Sequence, residues 1–252
     1  MVSLEPLALA DALPDTPQNV LPLHFLRRPG TVAYGDAEAW RNVAIVTLHP
    51  DLRFAKGDDP QTLVALLEAA GVLQRQVWTP LEQAEALAAA LHTATGVART
   101  IAPVRQKHAH RAPAVPCPAG AEVRLLTPAD AALLEGADEQ LHWVCDAFGG
   151  PRGMLQEGLV AAGIVEGRVV ALATTFARSR LHADIGVHTH ADYRGRGFCT
   201  ACGATVMRAI LASRQAPVWT VEDGNVGSAR VSEKLGFEVS SVAAVIRPVE
   251  GA

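Results

Sequence analysis

Aromatic side chains are scarce: six Phe, four Trp and two Tyr in 252 residues. A stacking platform for single-stranded nucleic acid needs a richer supply. Positive charge is not in surplus either, since 22 Lys and Arg face 26 Asp and Glu, for a net charge of −4. That balance gives no general pull towards polyphosphate backbones or anionic membrane surfaces. No apolar run reaches the ~20 residues of a bilayer span. The longest candidate, from Leu159 to Phe176, is broken by Glu166 and Arg168. The amino terminus has no basic region ahead of an apolar stretch, and Glu5 and Asp11 fall where a secretion signal is neutral. Four cysteines, Cys117, Cys145, Cys199 and Cys202, are too few to staple a chain of this length. These absences lead to the expectation of a soluble, cytoplasmic protein with neither nucleic acid nor membrane as its partner.

Apolar bulk is what the chain has in quantity. Hydrophobic residues make up 49% and charged residues 19%, enough for a sizeable core and for one to two domains. The segment 99–120 carries Pro103, Pro113, Pro116 and Pro118 and has neither the helical nor the strand period. It reads as an extended, solvated linker between an N-terminal domain, 1–98, and a C-terminal domain, 121–252. Within it, His108, His110 and Arg111 could form a ligand or metal patch, but a solvated face is the expectation.

The N-terminal domain reads as a small α/β unit of unknown role. Val43 to Leu48 suits a buried strand. Asp59-Pro60 opens a helix with Leu63, Leu66, Leu67 and Ala70 on one face, ended by Gly71. Thr79-Pro80-Leu81-Glu82 has the spacing of a capping box for a second helix running to about Gly96. No cluster of catalytic residue types appears there.

Beyond residue 120, Glu122 to Leu126 reads as a strand and Thr127-Pro128 as a helix start with Asp130 at its third position. Leu159 to Phe176 reads as a β-hairpin with a Glu166-Gly167 turn. A strand at 182–189 precedes a glycine-punctuated loop and a helix to about Ser213. Pro217 to Val221 forms a further strand, Asn225 opens another helix, and Gly236-Phe237 leads into a last strand. Read by twos, the 182–190 strand has Ala183, Ile185, Val187 and Thr189 on one face. The other face carries His182, Asp184, Gly186, His188 and His190, the expected lining of a cleft.

The loop Asp192-Tyr-Arg-Gly-Arg-Gly-Phe-Cys-Thr200 lies between that strand and an amphipathic helix. A helix start leaves about four N–H groups without partners and carries about half a positive charge. Gly195 and Gly197 let the backbone curl round an anion, and Arg194 and Arg196 add charge at the rim. An ordinary tight connection is the alternative on this evidence alone.

The run Ala183 to Cys199 resembles the signature strand and loop of the GNAT acetyltransferase superfamily, with the pattern Arg/Gln-x-x-Gly-x-Gly/Ala falling on Arg194, Gly197 and Cys199. A second block, Asn225-Val-Gly-Ser-Ala-Arg-Val-Ser-Glu-Lys-Leu-Gly-Phe237, is similar to the family's Asn-x-x-Ala/Ser…Lys-Leu-Gly-Phe ending. The resemblance runs from about Ala121 to the C-terminus. It implies a mixed α/β fold with a split, V-shaped central sheet, acetyl-CoA in the split, and acyl transfer to an amine on a small molecule or a protein. It makes Val187, His188 and Thr189 the strand that pairs with the pantetheine arm, and Gly195, Arg196, Gly197, Phe198, Cys199 and Thr200 the pyrophosphate loop beside Arg194. Asn225, with Ser228 in the same motif, matches the family's cofactor contact, although Asn225 also reads as a helix N-cap. A metal is not expected, and a homodimer is left open.

Two positions depart from the family pattern. The resemblance places a tyrosine, proposed to protonate the departing CoA thiolate, where this chain has Ser232, and a catalytic acid where it has Thr220. Glu222 and Asp223, at the mouth of the 217–221 strand, and Asp184 or His188, on the polar row, are therefore the candidate bases, with Ser232 a candidate donor. Cys199 and Cys202 spell Cys-x-x-Cys, but with Val206 and Ile210 they form one apolar helix stripe, so core packing is expected. A CoA-binding module without catalysis and a thiol-redox or zinc protein are the alternatives to an acetyltransferase.

Overall fold

Short apolar runs separated by Gly, Pro and Asp form twelve strands and eight α-helices among the described residues. The computed structural model describes residues 2–36 and 40–249; the outer ends of the two expected domains, residues 1 and 250–252, lie outside the described residues. In chain order the first elements are β1 (Val2–Leu4), α1 (Pro6–Ala12), α2 (Val20–Leu26), β2 (Val32–Gly35), β3 (Val43–Val46), β4 (Arg53–Lys56), α3 (Pro60–Ala69), β5 (Val77–Pro80), α4 (Ala84–Thr95) and β6 (Arg99–His108). There follow β7 (Glu122–Leu125), α5 (Ala131–Glu135), α6 (Pro151–Glu157), β8 (Val160–Val165), β9 (Arg168–Arg178), β10 (His182–Thr189), α7 (Phe198–Ala212), β11 (Ala216–Glu222), α8 (Val226–Lys234) and β12 (Glu238–Pro248). A ten-residue 3₁₀ helix, Glu139–Phe148, precedes α6.

The chain divides into two compact units, one of residues 1–14, 22–105 and 241–252, the other of 15–21 and 106–240. In the first, β1 to β5 follow one another in sheet order and β12 pairs with β5. Helix α3 starts as its sequence dictates: Asp59 accepts from the Gln61 N–H, and Leu63, Leu66 and Leu67 are buried. The second helix departs from expectation. Thr79 and Pro80 end β5, in register with Ala244 and Ala243, so no capping box forms there. Strand pairing takes the Thr79 backbone out of cap geometry, and α4 starts at Ala84 after a 3₁₀ turn.

The expected linker is also corrected. Residues 99–108 form β6, a ten-residue strand that keeps Gln106 and Lys107 buried despite Pro103. Only 109–120 lacks regular structure. Nor does the second domain run to the C-terminus, because residues from 241 onward belong to the first unit.

The second unit carries the sheet β11-β10-β9-β8-β7. The β8–β9 hairpin turns at Glu166 and Gly167, both at positive φ (48° and 76°), as a two-residue turn requires. Thr127 and Asp130 form the expected capping box, and Asp130 also pairs with Arg124. Helix α7 packs on one face of this sheet, bringing Phe198, Cys202, Val206 and Ile210 against Ala161, Ala171, Ala173, Ala183 and Ile185. Small residues on the strands allow the close approach; a Cβ at Gly163 would come within 2.6 Å of the Phe198 ring. The 3₁₀ helix 139–148 covers the other face, where the Thr174 hydroxyl donates to the Val144 carbonyl at 2.8 Å.

Asp15 ties the segment 15–21 to the start of β10. Its carboxylate accepts from Ser179 Oγ (2.6 Å), the Leu181 N–H (3.0 Å) and His182 Nδ1 (2.8 Å). Burial pushes the Asp15 pKa up, but the bonds from Ser179, His182 and Leu181 outweigh it, and the net shift is downward. A depressed carboxyl pKa contributes stability above its unfolded value, lost as pH falls through the folded one. Asp15→Ala is expected to destabilise the second unit by about 1–3 kcal/mol at pH 7 in urea unfolding. The difference from the parent should shrink below about pH 4.

Candidate functional site

Backbone pairing between β10 and β11 stops early. The two strands run parallel and pair only through His182–Ala216, Ala183–Pro217 and Asp184–Val218. At the same level β9 has a bulge: Asp184 is opposite Ala177 but Ile185 is opposite Thr175, so Phe176 is the extra residue. Beyond it β10 continues against β9 to Thr189 without pairing to β11. The sheet is split from Ile185 onward.

The phase of the β9–β10 ladder decides which amides face the split. The His190 N–H donates to Val170 O, and in an antiparallel ladder alternate residues share that direction, so Gly186 and His188 also point to β9. Val187 and Thr189 therefore turn their backbone groups to the split. The Thr189 carbonyl accepts from Arg194 Nε at 3.2 Å, which leaves Val187 N–H and C=O and the Thr189 N–H for a ligand. Of the three residues expected to pair with an extended ligand, Val187 and Thr189 present their amides and His188 does not.

The loop after β10 is shaped as its glycines require. Gly195 and Gly197 have φ of +76° and +88°, with open space where a Cβ would stand, so the constraint is backbone conformation and not crowding. Gly197 caps the fifteen-residue α7 in the left-handed region. The N–H groups of Phe198, Cys199 and Thr200 open the helix without intrahelical acceptors. Arg194 and Arg196 are exposed beside them, the Arg196 guanidinium lying 5.2 Å from the Tyr193 ring centre. Phe198 is buried and anchors the loop to the core. The set is an anion cradle built from main-chain dipoles with two fixed cations at its rim.

Cys199 and Cys202 do not form a redox pair. Burial pushes both thiols up, where a redox motif needs a lowered pKa. Cys199 Sγ lies 2.9 Å from Thr189 Oγ1, and Cys202 is fully buried in the core stripe expected from its spacing.

The polar row of β10 behaves residue by residue. Asp184, at the apex of the split, is buried and accepts from Thr220 Oγ1 at 2.8 Å. Burial pushes its pKa up to about 7, against the opposing bond from Thr220. His188 Nδ1 accepts from the Trp143 indole N–H at 3.1 Å. An indole nitrogen only donates, so the neutral imidazole carries its proton on Nε2, which is buried without a partner. Burial, with Arg194 adding to it, holds the His188 pKa below the usual histidine value. His188 is therefore placed as a neutral imidazole with its Nε2 proton unpartnered. A hollow of about 320 Å³ next to this row is lined by Leu133, Asp138, Arg168, Val170, His190 and Tyr193.

The residues of α8 and its approach are engaged structurally. Asn225 Oδ1 caps the helix by accepting from the Ser228 N–H at 3.1 Å. Ser228 Oγ accepts from the buried Trp219 indole at 2.9 Å. Ser232 is fully buried; its hydroxyl donates to Ala229 O and accepts from Lys107 Nζ at 2.9 Å. Glu222 ends β11, and its carbonyl accepts from the Asn225 N–H. The sequence reading missed the Trp143–His188 bond and the reach of Lys107 to Ser232. The resemblance sets His142, Trp143, Cys145 and Asp146 where early helices line the acceptor cleft, with core or surface packing as the expectation, and Lys107 lies in the segment that composition assigns to a linker.

A family model described as GNAT acetyltransferase matches residues 28–243, beginning well before the Ala121 at which the motif resemblance starts. An uncharacterized N-acetyltransferase from Streptomyces virginiae, encoded in the mutA 5′ region, is 32% identical over 117 residues, covering 45% of this chain and 49% of that protein. The chain thus spans about half the length of the curated relative it matches. A GCN5-related N-acetyltransferase-like protein from Streptococcus suis has a similar structure, with a TM-score of 0.72 at 18% identity, covering 97% of this chain and 98% of the other. A GCN5-related N-acetyltransferase from Kribbella flavida gives a TM-score of 0.63 at 17% identity, covering 93% and 95%. Cleft, cradle and motif spacing agree with the family match, and the chain belongs to the GNAT acetyltransferase family.

Proposed function

We propose that this protein transfers an acetyl group from acetyl-CoA to a primary amine, by direct attack and without a covalent enzyme intermediate. The observation that carries the reading is the early end of β10–β11 pairing directly before a glycine-shaped helix start. The site fits the co-substrate: a cradle of N–H groups at 197–200 suits a diphosphate, and the unpaired edge at Val187 and Thr189 suits an amide-containing arm. Acetyl-CoA, when bound, supplies an activated acyl group on sulfur. Arg194 and Arg196 balance phosphate charge, and the Val187 or Thr189 N–H donates to the acyl oxygen as it gains charge.

Asp184 is the residue we assign as base. An amine with an ordinary pKa near ~10.4 is protonated at neutral pH and must lose a proton before attack. A carboxyl held at about 7 is matched to that task at cellular pH. Thr220 orients it by donating to Oδ1. Direct attack fits the thiols as well, since Cys199 and Cys202 are pushed towards the inert form.

A second reading, binding without turnover, is favoured by one observation: the Ser232 hydroxyl is buried and bonded on both sides, so it stands as a poor donor to a leaving thiolate. Release of free CoA across an amine panel separates the two readings. Tight acetyl-CoA binding with no thiol release from any acceptor would leave only the second.

Two outcomes test the site itself. Gly197→Val forces a β-branched residue to φ +88°. It should weaken CoA and acetyl-CoA binding in calorimetry by at least tenfold, about 1.4 kcal/mol. Unchanged affinity would place the cofactor elsewhere.

Asp184→Asn should lower kcat by about 10²-fold or more while CoA affinity stays within about twofold, and should remove the rising pH limb near 7. Stability gives an independent reading. The native carboxyl holds its proton up to about 7 whereas the unfolded one releases it near 3.8, so the parent loses stability as pH rises between those values. The variant lacks that slope, and its unfolding midpoint should gain on the parent's from pH 5 to pH 7.

A further inference from the structure

We propose that His108 and His110 form a two-ligand site for a divalent transition metal ion of the copper, nickel and zinc group. The proposal is independent of the acetyltransferase reading. His108 ends β6 and His110 lies two residues on, in the bend that follows, and the two rings meet there edge to face. Ala109 between them is fixed, its N–H donating to Pro217 O at 3.3 Å. That bond holds the local backbone against the start of β11, at the paired end of the split sheet and not at its open end.

The nitrogens already have the spacing of neighbouring metal ligands. His108 Nε2 and His110 Nε2 are 3.1 Å apart. With metal–nitrogen bonds of about 2.0–2.1 Å, two ligands between right-angle and tetrahedral disposition lie roughly 2.9–3.4 Å apart. The ring planes are inclined at 73° and the ring centres are 4.8 Å apart, closer than two rings set head-on at that nitrogen separation could be. The rings are therefore angled, and the backbone places both nitrogens where small rotations bring their lone pairs onto one ion.

Access and charge also suit a cation. His110 is exposed and His108 half-buried, so solvent reaches the pair and water can complete the coordination. Among the described residues no group of three or more His, Cys, Asp or Glu could hold a metal ion, so the site has two protein ligands. His108 Nδ1 is buried without a partner. With Nε2 on the metal it would carry an unpaired N–H, which keeps the affinity moderate. Without metal one imidazole must donate to the other, so one Nε2 lone pair is occupied by a proton; an ion uses both.

The test is calorimetric titration of tag-free protein with CuCl₂, NiCl₂ or ZnCl₂. The expected result is one ion per chain, with copper bound more tightly than nickel or zinc. His108→Ala and His110→Gln should each weaken binding by at least tenfold, whereas His92→Ala, at an exposed position of α4, should not. Circular dichroism confirms that each variant is folded, and His110→Gln, at an exposed position, covers the case in which the His108 variant is not. In the copper-loaded protein, paramagnetic resonance should show two equatorial imidazole nitrogens, reduced to one in His110→Gln. No heat at 100 μM metal, or binding untouched by both substitutions, overturns the site.

Discussion

Backbone hydrogen bonding between two parallel strands is what the site depends on, and the decisive feature is where it ends. Had β10 and β11 paired along their whole length, every amide between 185 and 189 would be satisfied and the cleft would not exist. The bulge at Phe176 turns β10 just as its last bond to β11 is made, between Asp184 and Val218. An edge strand in the middle of a sheet is normally a liability, because its unpaired groups seek another strand. In the proposed function the same unsatisfied groups at Val187 and Thr189 are what an extended, amide-bearing ligand would pair with. The position of the split also sets the environment of Asp184, which stands at its apex, where burial raises a carboxyl pKa.

Charge is divided between the two ends of β10 according to solvation. At the exposed end, helix-start amides and two arginines face water and can take a multiply charged phosphate without a large desolvation cost. At the buried apex burial raises the Asp184 pKa, whereas half-buried His188, four residues on towards the loop, has its pKa lowered by burial. A carboxyl whose pKa is raised towards neutrality can exchange a proton at physiological pH, whereas a fully solvated one stays ionised. The Trp143 indole sharpens the distinction by holding the His188 tautomer, so that two side chains four residues apart on one strand face sit in different proton environments.

Much of this was readable from residue order because it rests on local rules. Glycines at 195 and 197, the Thr127–Asp130 capping box, the Glu166-Gly167 turn and the Cys202–Val206–Ile210 part of the expected stripe are each set by neighbours a few positions away, whereas Cys199 lies half-buried against the Thr189 hydroxyl outside the core. The glycine-shaped helix start was accordingly visible, and so was the polar row of β10. What was not readable is non-local. The bulge at Phe176 has no signature in a run of Ala, Thr and Phe, and without it the alternation on β10 does not say where pairing to β11 stops. Thr79 and Glu82 have capping-box spacing, but partners more than 160 residues away decide that Thr79 lies in a strand. The bond that sets the His188 tautomer crosses 45 positions.

The proline-rich segment shows the same limit from the other side. Density of Pro and absence of a period are sound reasons to expect an extended chain, and 99–108 is indeed extended. The step from extended to solvated is what fails, because a strand whose side chains alternate without a clean apolar face looks like a linker in composition alone. Lys107 is the instructive residue. Its ammonium is buried, bonded to Ser232 and 3.9 Å from Glu233 Oε1, at a cost that only tertiary partners can offset. Once Lys107 is inside, Ser232 follows: a hydroxyl that accepts from a buried ammonium and donates to a helix carbonyl has both of its hydrogen-bonding directions occupied. The small residue at that position is thus explained by packing against β6, a strand contributed from outside the motif that first identified the helix.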